Sequence, residues 1–113
     1  MEITAKKTGS IDILCLGGRL DSYAANEVDL KLNAIIGTAP VKMIIGLDKL
    51  EYISSSGLRV LLAALKKDRK MQGDVRLSGL QPYVKEVFDI AGFSQLFKIF
   101  DKEEDAIKSF EGI

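Results

Sequence analysis

The chain has 113 residues and 47% apolar content, enough for one domain with a core that needs no disulfide or metal. Sixteen basic residues balance sixteen acidic ones, so no net charge draws the chain to nucleic acid or anionic lipid. There is no histidine and a single cysteine, Cys15, which removes Ser-His-Asp and Cys-His catalysis and any structural zinc site. No catalytic residue, metal or cofactor is expected. The apolar runs are far shorter than the roughly 20 residues of a membrane span, so no membrane partner is expected either. The segment Met1–Lys7 lacks the apolar stretch of a signal peptide. Cys15 lies in an apolar strand and reads as a buried core thiol in a reducing, cytoplasmic setting.

In chain order, Glu2–Lys7 reads as an edge strand turned by Gly9-Ser10 into a buried strand, Ile11–Leu16, which Gly17-Gly18 breaks. Ala25, Val28, Leu32, Ile35 and Ile36 form one helical stripe, with Asp21 or Ser22 as N-cap and Gly37 as stop. Val41–Asp48 is apolar on both faces, as a central strand covered by helices requires. Leu58, Leu61, Leu62 and Leu65 mark a second helix that Gly73 stops, and Asp74–Ser78 alternates as a strand. Pro82 opens a third helix with the stripe Val84, Val87, Phe88 and Ala91, closed by Gly92. Leu96–Phe100 is the last strand. Asp101 and Glu104 then form a capping-box start for a final helix carrying Ala106, Ile107 and Phe110. The order β-β-α-β-α-β-α-β-α predicts a single α/β domain over residues 1–113, a mixed central sheet with about four helices.

Between the central strand and the second helix stands Ile53-Ser54-Ser55-Ser56-Gly57-Leu58. Serine is among the best N-cap residues, so capping is one reading. A nucleophile elbow needs Gly-x-Ser-x-Gly and a histidine base, and a P-loop needs a lysine after its glycine; neither pattern is met. A helix N-terminus attracts anions, which leaves a weak nucleotide-binding domain as an alternative. A regulatory phosphoserine is the remaining reading, since a phosphate there adds about −1.5 to −2 charges.

The stretch from Leu47 to Leu61, with Ser54-Ser55-Ser56-Gly57-Leu58 at its centre, resembles the signature of STAS domains, and more narrowly the small bacterial anti-sigma factor antagonists. Gly18-Arg19-Leu20-Asp21 resembles that family's Gly-x-Leu-Asp segment, and the element order matches over nearly the whole chain. The resemblance implies a single STAS-like domain that binds an anti-sigma factor, itself a serine kinase, and so frees a sigma factor for transcription. The kinase would phosphorylate the antagonist with ATP and end the complex, and a serine phosphatase would restore it. The acceptor in that family lies two residues before the glycine, which is Ser55 here, with Ser56 as the alternative. The family often carries aspartate immediately before the acceptor; here Ser54 stands in that place. Asp21, Ser54, Ser56, Gly57 and Arg59 are the expected partner-binding residues, with Lys66 and Lys67 further along the same helix. A monomer is expected. The competing reading is a STAS interaction or scaffold module with no phospho-switch.

Overall fold

The structure is a computed structural model and describes residues 1–111. Five strands form one sheet in the order β1-β2-β3-β4-β5: β1 Glu2–Thr8, β2 Ile11–Leu20, β3 Lys42–Ile53, β4 Asp74–Ser78 and β5 Ile99–Phe100. The first two pair antiparallel through the two-residue turn Gly9-Ser10, Thr8 facing Ile11. The remaining neighbours are parallel. Parallel neighbours need crossovers, and the helices α1 Ser22–Ile35, α2 Ser55–Lys70 and α3 Pro82–Ile90 supply them. Because each crossover steps the same way across the sheet with the same hand, all three helices cover one face. The last helix, α4 Glu103–Glu111, returns to the other.

Alternation along the strands divides the apolar side chains between the two faces. Leu14 and Leu16 of β2, with Met43, Ile45 and Leu47 of β3, pack beneath Val28 and Leu32 of α1, Leu61 and Leu65 of α2, and Val84 and Phe88 of α3. On the reverse side a smaller cluster joins Ile11, Ile13 and Ile44 to Ala106 of α4. The mixed α/β sheet and its four α-helices are as the periodicities predict.

Several boundaries differ from the expectation. Gly17-Gly18 does not break β2: the strand continues to Leu20 through shifts of register beside β3, and Gly18 adopts φ 93° there. The central strand runs five residues past Asp48. Beyond Gly46 it pairs only with β2, so Lys49 and Glu51 reach solvent from within a strand. The stop after α2 is made by Gln72, with φ 72°, and not by Gly73. Phe93–Gln95 forms a 3-10 turn, which leaves only Ile99–Phe100 as strand where Leu96–Phe100 is expected. The carbonyl of Lys102 accepts the first helical hydrogen bond of α4, from Ala106, so the N-cap lies one residue after Asp101. Cys15 is half-buried on the face that α4 leaves partly open, and lies outside the main core.

Candidate functional site

The sites named from the sequence meet at one end of the sheet, past the C-terminal ends of two central strands. Strands β2 and β3 end side by side, Leu20 opposite Ile53, and the Ser54 N–H donates to the Leu20 carbonyl at 2.9 Å. Each strand is followed at once by a helix cap. Asp21 Oδ1 accepts from the Ala24 N–H at 2.9 Å, and Ser54 Oγ accepts from the Gly57 N–H at 3.1 Å. Both cap residues are extended, the geometry in which a short polar side chain reaches the first free N–H groups. The N-termini of α1 and α2 therefore lie abreast, two partial positive ends at one rim.

This geometry assigns separate tasks to the three serines. Ser54 is the cap. Ser55 is the first residue of α2 and is exposed; its hydroxyl makes no hydrogen bond among the described residues. Ser56 is half-buried and turned toward α1. Gly57 is buried because nothing larger fits: a Cβ there would stand 2.7 Å from Leu20 Cγ and 3.0 Å from Ile53 Cγ1. The glycine thus lets the helix start lie directly on the ends of β2 and β3.

A shallow groove of about 310 Å³ runs between α1 and α2 from this rim. Ser22, Asn26 and Asp29 line it from α1, and Ser56, Arg59 and Ala63 from α2. Arg59 is exposed and has no carboxylate within 4.0 Å among the described residues. Asp29 accepts a hydrogen bond from Asn33 Nδ2 at 3.1 Å. The α1 side of the groove is not named from the sequence, although Ser22, Asn26 and Asp29 stand at i, i+4 and i+7. A polar line at that spacing is a readable signal once α1 and α2 are known to be neighbours. Lys67 bridges the helices by donating to Asn33 Oδ1 at 3.0 Å, while Lys66 stays in solvent.

Among the described residues no group of three or more His, Cys, Asp or Glu could hold a metal. Burial, and then the nearby Glu103 carboxylate, push the Cys15 thiol above its ordinary pKa, which disfavours the nucleophilic thiolate. No helix of the described residues is long and apolar enough to cross a membrane.

Comparison with known proteins gives this rim a context. The family model described as STAS domain matches residues 2–106. The Bordetella bronchiseptica protein BtrV, provisionally named an anti-sigma factor antagonist, is 36% identical over 98% of this chain and 96% of its own. An anti-sigma-B factor antagonist of Listeria monocytogenes is 31% identical over 91% of this chain and 90% of its own. The solved structure of the anti-sigma factor antagonist SpoIIAA in its unphosphorylated form superposes with a TM-score of 0.84 at 24% identity, covering 99% of this chain and 98% of that one. SpoIIAA of Bacillus in its phosphorylated form aligns with a TM-score of 0.75 at 21% identity, covering 96% and 99%. A matching domain model over nearly all the residues, two close relatives of one designation and a shared fold agree: the chain belongs to the STAS-domain family of anti-sigma factor antagonists.

Proposed function

We propose that this protein works by partner switching, with Ser55 as the switch. Unmodified, it binds an anti-sigma factor that is also a serine kinase, and so releases a sigma factor for transcription in the cytoplasm. The kinase then transfers the γ-phosphoryl group of ATP to Ser55 Oγ. ADP leaves, and the hydroxyl proton passes to a base on the kinase. A serine phosphatase hydrolyses the ester and restores the binding form. The protein is a ligand and a substrate in this cycle and catalyses none of it.

The observation that carries the reading is the division of labour among the serines. Ser54 holds the cap, which leaves the Ser55 hydroxyl exposed, unbonded and presented on a rigid strand–helix junction. Phosphate at the first position of α2 is favourable for the helix dipole, so the modification need not unfold anything. Its effect falls on the interface, where Asp21, Ser54, Ser56, Gly57 and Arg59 form or flank the contact surface. Losing about 3 kcal/mol there weakens binding more than a hundredfold.

The test is incubation with candidate anti-sigma kinases and ATP, followed by mapping of the modified residue by mass spectrometry. Modification at Ser55, abolished in Ser55→Ala, and loss of kinase binding in Ser55→Asp are expected. An unmodified Ser55 together with full partner binding by Ser55→Asp would sink the switch and leave a plain interaction module. Modification at Ser56 would move the acceptor by one residue.

A further inference from the structure

We propose that a phosphate on Ser55 is captured by Arg59, one helical turn along α2, so that phosphorylation both adds an anion to the rim and withdraws a cation from the groove. The inference rests on Ser55 being the acceptor and concerns how that same site is regulated.

Ser55 and Arg59 stand at i and i+4, both exposed, and residues so spaced are neighbours on one helix face about 5–6 Å apart at Cβ. Helical side chains lean toward the N-terminus, which carries the Arg59 side chain toward the turn that bears Ser55. In the unmodified protein no ion pair holds its guanidinium among the described residues. No carboxylate lies within 4.0 Å among the described residues, and Asp29, the acid in the same groove, is engaged by Asn33. A guanidinium matches phosphate oxygens in a two-pronged geometry, whereas it has nothing to gain from a serine hydroxyl of no charge. The pair therefore forms only after modification.

The consequence reaches beyond repulsion. Before modification Arg59 is available to a carboxylate of a docked partner; afterwards that carboxylate loses its counter-ion and meets a phosphate. One covalent event changes the local charge at two adjacent points of the surface: a neutral hydroxyl becomes an anion, and a free cation is neutralised.

The experiment uses the full chain with phosphoserine installed at position 55 during translation, alone and combined with Arg59→Gln or Arg59→Lys. Titration of the phosphate by phosphorus NMR reads the pair directly. The second phosphate pKa is expected about 0.3–0.5 of a unit lower with Arg59 than with Gln, as an exposed ion pair allows, and Lys is expected to fall between. Equal values for Arg and Gln would overturn the capture. In the unmodified chain, Arg59→Gln is expected to weaken binding to the anti-sigma kinase at least fivefold; unchanged binding would overturn the withdrawal of a contact. Arg59 is exposed, so the variants retain the fold, which circular dichroism verifies. Installing the phosphoserine makes the titration independent of any kinase, so failure to modify Ser55 enzymatically would refute the acceptor assignment separately.

Discussion

Ser54 and Gly57 decide how the serine run is divided. The first uses its hydroxyl on the Gly57 N–H, and aspartate would serve in the same way, because both rank among the best capping residues. This explains physically how a serine can stand where the family resemblance leads one to expect aspartate. Ser54→Ala is expected to lower stability by about 1 kcal/mol in urea denaturation, and Ser54→Asp to keep or exceed the native value, since a carboxylate also complements the helix N-terminus. Equal stability of the alanine and native chains would contradict the capping role. Gly57→Ala is a packing matter. Its methyl would meet Leu20 and Ile53, both buried at the strand ends and with no room to retreat. The loss is expected at about 1–3 kcal/mol, partly offset by the better helix propensity of alanine, with a lower urea midpoint as the measure.

At the scale of the element, α2 joins the Ser54–Gly57 rim to an unusual anchor at its other end. Lys67, Arg69 and Lys70 suit a helix C-terminus, but Asp68 among them is fully buried. One of its oxygens accepts from the Val41 N–H at 3.0 Å; Oδ2 has no hydrogen-bond partner among the described residues. Burial raises its pKa above 3.8, opposed by the Val41 hydrogen bond and reinforced by the charge of Asp74. The folded protein therefore keeps a proton at pH values where the unfolded chain has lost it. Unfolding releases that proton, so this group's contribution to stability falls as pH rises from about 3.8 through the folded value. Asp68→Asn retains an acceptor for Val41 without the charge. Its stability relative to the native chain is expected to be greater at pH 7 than at about pH 4, measured by denaturant titration at both. A difference independent of pH would show that the buried charge is not the cause.

For the whole molecule, the two faces of the sheet carry unequal loads. Three helices bury the main core, and a single nine-residue helix covers the other side over Ile11, Ile13 and Ile44. A helix that short has little stability of its own and depends on this small cluster. Arg76 helps to hold it, with its guanidinium 3.9 Å from the Phe110 ring centroid and a hydrogen bond to Ser109 Oγ at 2.7 Å. Amides of Ala106–Phe110 are expected to exchange with solvent well before those of Leu14, Ile44 and Ile45 in hydrogen-exchange NMR, as a separate opening. Simultaneous exchange of both sets would show one cooperative unit. Opening of α4 leaves the Ser55 rim intact, because that rim is built on the ends of β2 and β3 and on the helices of the opposite face.

The sequence by itself determined the order of the elements, since a period of two and a period near 3.6 are local signals carried by each segment's own side chains. It also marked Asp21 as a cap and the run Ser54–Gly57 as a strand–helix junction, because capping is local chemistry, whereas Ser55 and Gly57 stand out within that run only through the family resemblance. It could not show that β2 passes through Gly17-Gly18 or that β3 continues past Asp48. Glycine pairs and charged residues read as breaks, and only hydrogen bonds to a neighbouring strand override them. Nor could it say which serine caps α2, because all three have the same capping ability; the register of β3 against Leu20 settles that in favour of Ser54. The groove is wholly tertiary. Asn26 and Arg59 are 33 positions apart in the chain, and they line one surface only because same-handed crossovers set α1 beside α2.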